Sequence, residues 1–257
     1  MDRVLVAAAL AAARERRQDV AEVPLTAIAA AAGISRSTLL RRLGGTRAAL
    51  DAAVRDSGVD PGGRPPVRER AIAAAAELIT EQGLGAMTLD AVAAAADCAL
   101  PSVHNVFGGR DGLLAAVFDR YGPLPDLEAL AADPPPDLAG LVREIHRLVI
   151  AKFGQHPRVL PAIMADLFGR PAGPGSRVMQ AHLPRLAASL RTLLMAHVQA
   201  ERLRALPFPL IVQLLLGPIT THVLLRPSLE GALGPEMPSL EETSEVFTEA
   251  FLRAVSP

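Results

Sequence analysis

The 257 residues are half apolar but only 3% aromatic, and their formal net charge is −1. A chain of this length can bury one large core or two to three small ones. Its abundant Ala and Leu favour close-packed helices over a β core, and the single cysteine, Cys98, excludes an internal disulfide framework and any cysteine-based zinc site.

In chain order, the apolar run Val4–Ala13 is followed by Arg14, Arg16 and Arg17. That suits a cytosolic helix better than a signal peptide. Residues 1–58 carry nine arginines against six acids, a balance of +3, whereas residues 59–122 come to −3 and residues 123–257 to −1. Positive charge confined to one module points to a polyanion partner for that module.

A pattern then occurs twice. Leu25–Val54, LTAIAAAAGISRSTLLRRLGGTRAALDAAV, aligns without a gap on Leu89–Phe118, LDAVAAAADCALPSVHNVFGGRDGLLAAVF, at an offset of 64 that also pairs Leu50 with Leu114. Leu25, Ile28, Ala29 and Ala32, or Leu89, Val92, Ala93 and Ala96, make one face of a short helix. Gly33 or Asp97 marks the turn after it, because glycine takes left-handed backbone without strain and aspartate tolerates it. In the first copy Ser35 is placed to cap the next helix, and Leu39 and Leu43 point inward. Arg36, Ser37, Thr38, Arg41 and Arg42 then face out, an arrangement of donors that a DNA major groove can receive. In the second copy Ala99 replaces the cap, and Leu100, Pro101, Ser102, His104, Asn105 and Val106 offer no cation.

Between the copies, GVDPGGRPP (Gly58–Pro66) is rich in turn formers and reads as a linker. Its nine residues would span at most about 30 Å. The expected modules are residues 1–58 and 67–122, with residues 59–66 as the connector. A second break is expected over Pro123–Pro136. The remainder of 123–257 reads as helices, with apolar faces on Leu138–Phe153 and Val159–Phe168. A third face runs through Leu183, Leu186, Leu190 and Leu193 to Val198 and ends in polar Glu201–Arg204. Leu206–Leu225 is apolar on most sides and is expected to be a buried helix rather than a membrane span, given its three prolines. A last helix over Ser239–Val255 starts with capping-box spacing at Ser239 and Glu242 and is expected to turn Leu240, Val246, Phe247, Ala250 and Phe251 inward.

No catalytic constellation stands out, and an enzyme is not expected. H-E-x-x-H and G-x-S-x-G are missing, and PAGPGSR (Pro171–Arg177) lacks the G-K-[ST] ending of a phosphate loop and reads as a surface loop. The six histidines show no metal-ligand spacing, so neither metal nor cofactor is expected.

The doubled motif resembles the TetR family of bacterial regulators. The family's T-x-x-x-I-A helix, Gly-Val-Ser turn, T-L-Y-x-x-F reading helix and following A-L helix correspond to LTAIAAAAGIS, TLLRRL and GGTRAAL, and again to TLDAVAAAADCA, SVHNVF and GGRDGLL. The resemblance implies an all-α fold: two tandem helix-turn-helix modules followed by a helical ligand-binding and dimerisation domain. DNA contacts would come from Ser35, Arg36, Ser37, Thr38, Arg41, Arg42, Thr46 and Arg47, and from Thr88, Ser102, His104, Asn105 and Arg110, with Arg110 at the place of Thr46. Leu40 stands where the family has its phosphate-contacting tyrosine. The implied partners are an operator in double-stranded DNA, a second copy held through the C-terminal helices, and an apolar or aromatic effector near Phe153, Met164, Phe168, Met179 and His182. The expected protein is a cytoplasmic, ligand-responsive regulator, most simply a repressor. The rival reading is a helical adaptor or ligand-sequestering protein that has lost DNA binding.

Overall fold

The computed structural model describes residues 3–200, 203–204 and 206–256, and every regular element among them is helical. The chain forms two units, Met1–Pro66 and Val67–Pro257. The first unit contains α1 (Arg3–Arg16), a 3-10 turn at Val20–Glu22, α2 (Leu25–Ala31), α3 (Arg36–Arg42) and α4 (Ala48–Asp56). Leu5, Val23, Ile28, Leu39, Leu50 and Val54 form its core.

The second unit opens with the same series: α5 (Val67–Gln82), a 3-10 turn at Leu84–Ala86, α6 (Leu89–Ala95), α7 (Leu100–Phe107) and α8 (Arg110–Tyr121). The duplication thus begins a helix earlier than the aligned stretch. It is not gapless either. The 3-10 turns, α2 and α6, and the starts of α3 and α7 lie 64 residues apart. On the last helix of each series Leu50, Ala53 and Val54 instead match Leu113, Ala116 and Val117. Those pairs are offset by 63, so pairing Leu50 with Leu114 is one residue out. The cause is Thr46, an additional residue between the Gly44-Gly45 turn and α4 that the second copy lacks after Gly108-Gly109.

The turns inside both motifs have the expected backbone. Gly33 and Asp97 have φ of +67° and +47°, and Ile34 N and Cys98 N donate to Ala29 O and Ala93 O, both at 2.9 Å. This 6→1 bond closes a helix end through a left-handed residue.

The rest of the second unit contains α9 (Leu124–Ala132), α10 (Leu138–Gly154), α11 (Val159–Gly169), α12 (Pro174–Gln199), α13 (Phe208–Leu233) and α14 (Leu240–Val255). α9 occupies the segment expected to be a break. Pro125 sits in its first turn, where the missing N–H costs nothing, and Leu124 and Leu127 are buried. α12 likewise starts inside the expected PAGPGSR loop and runs through Pro184. Part of its expected polar end, Glu201 and Arg202, lies outside the described residues. One continuous core joins α5–α8 to the body, running from Ala71 and Ile79 through Phe118 and Ile145 to Val255.

Two expectations about the last helices do not hold. α13 is long and apolar enough to cross a membrane, yet only 22% of its most apolar window is buried. Ile211, Leu215, Ile219 and Val223 face the core, while Leu210, Leu214 and Leu225 are exposed. α14 turns Val246 and Ala250 outward rather than inward, because threonines share its buried face: Thr243 and Thr248 accompany Phe251 and Val255 there. Thr243 Oγ1 donates to Ser239 O at 2.8 Å, so its burial leaves that hydroxyl satisfied. The capping box at Ser239 and Glu242 forms as expected, and its hydrogen bonds hold the Glu242 carboxyl below the usual carboxylate range.

Candidate nucleic-acid interface

α3 is built as a presenting helix. Ser35 sits at its N-cap in extended backbone and accepts from Thr38 N at 3.1 Å. The Ser35 hydroxyl also lies 2.9 Å from those of Ser37 and Thr38, so three polar side chains are ordered on the first turn. Leu39 and Leu43 are buried, while Arg36, Ser37, Arg41, Arg42 and Thr46 are exposed and Thr38 is half-buried. The helix therefore carries three guanidinium groups and a hydroxyl cluster on its outer side.

α7 repeats the frame without the charge. Val103, the counterpart of Leu39, is fully buried. Ala99 provides no side-chain cap, and Pro101 stands in the first turn instead. His104 and Asn105 are exposed, Ser102 is half-buried, and Leu100 and Val106 are 38% and 43% exposed. Thr88 spends its side chain on capping α6, accepting from Ala91 N at 3.2 Å.

Arg47 and Arg110 do work for the fold rather than stand on the exposed face. Arg47 Nη1 donates to Val23 O at 2.6 Å and Nη2 to Val20 O, and Nε lies 3.4 Å from Asp51 Oδ1. Arg110 Nε donates to Met87 O at 2.7 Å and Nη2 to Leu84 O at 2.5 Å. The two acceptor pairs are themselves 64 residues apart, so the arginines clasp equivalent 3-10 turns to the first turn of α4 or α8. Arg47 and Arg110 are thus structural counterparts, and Thr46 is not the counterpart of Arg110. The second copy adds a clamp that sequence reasoning missed: Arg70 Nη1 donates to Ala96 O at 2.6 Å and to Asp97 O at 3.1 Å, bracing the α6–α7 turn. Arg70 lies before the aligned stretch, which begins at Leu89, so nothing in the repeated pattern points to it.

Residues 71–117 match the family model described as bacterial regulatory proteins, tetR family. The match falls on the second module. No curated protein matches the chain significantly. A TetR family transcription regulator from Marinobacter aquaeolei VT8 superposes with a TM-score of 0.56 at 18% identity, covering 74% of this chain and 95% of that one. The fatty acid degradation regulator FadR from Bacillus halodurans gives 0.56 at 15% identity over 74% and 97%. The transcriptional regulator FadR from Bacillus subtilis, solved in complex with stearoyl-CoA, gives 0.53 at 20% identity over 72% and 97%. The chain thus has the all-α fold of TetR-type transcriptional regulators. Those proteins are covered almost end to end by a stretch of this chain about as long as its second unit.

The residues expected to line an effector site differ in their burial. Phe153 belongs to the core, and Met164 and Met179 pack against it. His182 is buried, with Nδ1 2.7 Å from Val178 O and Nε2 3.1 Å from Asp119 Oδ1, and its ring lies 4.7 Å from that of Phe118. Phe168 is 73% exposed. Asp166 takes the inward place on that turn of α11: it is buried and accepts from Gly175 N at 2.7 Å, which turns Phe168 outward. An open cleft of about 430 Å³ lies between the end of α5 and α11, lined by Gln82, Leu84, Ala162, Ala165, Asp166 and Arg170 among others, and none of the five residues takes part. Among the described residues no three metal-ligating side chains converge.

α8 is also tied to the body by charge. Asp111, in its first turn, pairs with Arg177 at 3.1 Å, and Asp119 stands 4.0 Å from Arg185 and within hydrogen-bond distance of His182 Nε2. Arg185 reaches on to Glu128 of α9 at 2.7 Å.

Proposed function

We propose that this chain is a ligand-responsive, DNA-binding transcriptional regulator whose first module reads the operator. The observation that carries the reading is the contrast between the two presenting helices. α3 holds Arg36, Arg41 and Arg42 on its exposed side behind a capped first turn, and α7 holds Leu100, Pro101 and Val106. Arginine pairs bidentately with guanine and also supplies phosphate contacts. Ser35, Ser37, Thr38 and Thr46 add polar contacts, with Arg47 holding the frame. In the second module Ser102, His104 and Asn105 give subsidiary contacts, with Thr88 and Arg110 acting through the fold.

The working form is a cytoplasmic homodimer joined through α13 and α14. Leu210, Leu214 and Leu225 on α13 and Val246 on α14 are 40–59% exposed in the single chain, and a second copy of the same helices would cover them. The effector is a small apolar or aromatic molecule taken up by the body, in the space around Phe153, Met164, Met179 and His182. The stearoyl-CoA complex of Bacillus subtilis FadR is a precedent for an apolar ligand on this fold. Effector binding favours a dimer whose reading helices no longer match the operator, and repression is relieved.

A gel shift with the DNA upstream of the protein's own gene tests this. Each lost bidentate contact is worth about 1–3 kcal/mol, so Arg41→Ala with Arg42→Ala should weaken specific binding by about 30-fold or more. His104→Ala with Asn105→Ala should cost less than tenfold. Greater damage from the second pair would overturn the assignment of the reading module.

A further inference from the structure

The segment between the modules is mostly part of the first unit's fold. Ser57, Gly58 and Val59 donate backbone bonds to the last carbonyls of α4: Ser57 N to Val54 O at 3.1 Å, Gly58 N to Arg55 O at 2.8 Å and Val59 N to Val54 O at 3.3 Å. The next four residues are strapped across the loop that follows α1. Pro61 is buried, and its carbonyl accepts from Ala21 N at 2.8 Å. Gly62 N donates to Asp60 Oδ1 at 3.0 Å and Gly63 N to Asp19 Oδ2 at 3.1 Å. Both glycines are required here. Their φ values are +65° and +73°. A Cβ on Gly63 would stand 2.5 Å from that of Ala21, and one on Gly62 would run into Asp19.

We propose that this strap is a specificity element that sets the spacing of the DNA sites the protein accepts. It removes Asp60–Gly63 from the tether and leaves at most Arg64, Pro65 and Pro66 between the strap and α5. A connector with two prolines is stiff and extended, about 3.1 Å per residue. A short, stiff tether concentrates the tethered module over a narrow range of distances, whereas a longer one widens the range and dilutes it roughly as the −3/2 power of length. The two first modules of a dimer therefore engage paired half-sites at one separation and discriminate against others. The inference rests on the proposed reading of the first module as the operator reader.

Selection of bound duplexes from random-sequence DNA, run on the full chain, tests it. Two variants lengthen the tether to the same extent by different routes. Gly62→Val with Gly63→Val opens the strap back to Asp60, and a Gly-Ser-Gly-Ser insertion after Gly63 adds four residues with the strap intact. The parent should enrich one motif in pairs at a single separation. Both variants should enrich the same motif at a broad range of separations, and each should bind the parent's preferred duplex about three- to fourfold more weakly. A single narrow separation retained by the insertion variant overturns the inference, whatever the valine variant does. So does a parent that already accepts many separations. If Arg41→Ala with Arg42→Ala enriches the parent's motif unchanged, the reading of the first module fails instead, and the spacing inference falls with it.

Discussion

Across the two modules the buried positions agree and the exposed ones do not. Gly33 and Asp97 end their helices in the same left-handed turn, Leu39 and Val103 fill the same place, and Arg47 and Arg110 clasp carbonyls 64 residues apart. The outer faces diverge to three arginines on α3 and an apolar pair on α7. The common part is what a helix-turn-helix needs in order to fold. The divergent part is the exposed chemistry, and on the proposed reading it makes the first module the reader. The module that matches the TetR family model is thus the one without arginine on its presenting helix.

The largest effect that would sharpen this comparison is on the clasps. Each arginine makes two charge-assisted bonds to backbone carbonyls, worth about 1.5–3 kcal/mol apiece. Arg47→Ala and Arg110→Ala should each destabilise their own unit by roughly 3 kcal/mol, seen as a lower urea midpoint for that unit. A variant of Arg47 with unchanged stability and lost DNA affinity would move this residue from the frame to the interface.

A smaller effect is expected from giving the second module the first one's charge. Asn105 and Val106 stand where Arg41 and Arg42 stand in the first copy, so Asn105→Arg with Val106→Arg should raise non-specific DNA affinity about tenfold at low salt. The salt slope should steepen by about two. An unchanged slope would mean that α7 is held away from DNA, whatever its chemistry.

The smallest effect separates the units by pH. All six histidines lie in the second unit. Burial holds His146 below its ordinary value, with Nε2 3.1 Å from Leu215 O and Nδ1 3.4 Å from the Ser244 and Thr248 hydroxyls. Burial and then Arg226 lower His222. The unfolded chain therefore takes up these protons first. Second-unit stability is full above the ordinary value of 6.5 and declines as the pH falls through it. The first unit has no histidine, so its midpoint should change less than the second unit's between pH 7.5 and 5.5. His146→Gln should flatten the second unit's slope, and an unaltered slope would place the linkage elsewhere.

The helical class and the frame of each module were legible because burial and turn chemistry are local. Alternation at three and four, Gly33, Asp97 and the Ser35 and Ser239 caps each act within a few residues. Legibility failed where a side chain's role depends on a distant partner. The carbonyls that hold Arg110 lie more than 20 residues upstream, and Phe168 faces out while Asp166 is engaged by Gly175 in the first turn of α12. The linker was misread for the same reason: Pro and Gly signalled chain freedom, while the acceptor that fixes Gly63 is Asp19, 44 residues away. α13 departs from expectation because a helix apolar on most sides does not say which of those sides meets the core: Leu215 does and Leu214 does not.

α8 has a further consequence for what can be separated from what. Its Phe118 is fully buried against the ring of His182, and its two aspartates are held by residues of α12. A fragment ending at Gly122 would open that face to water and leave Asp111 and Asp119 without their partners, so the second module has no independent life as a domain. Residues 1–66 close over a core of their own. Of the two copies, the first is therefore the portable one, a self-contained unit that can be cut away or grafted elsewhere with its strap attached.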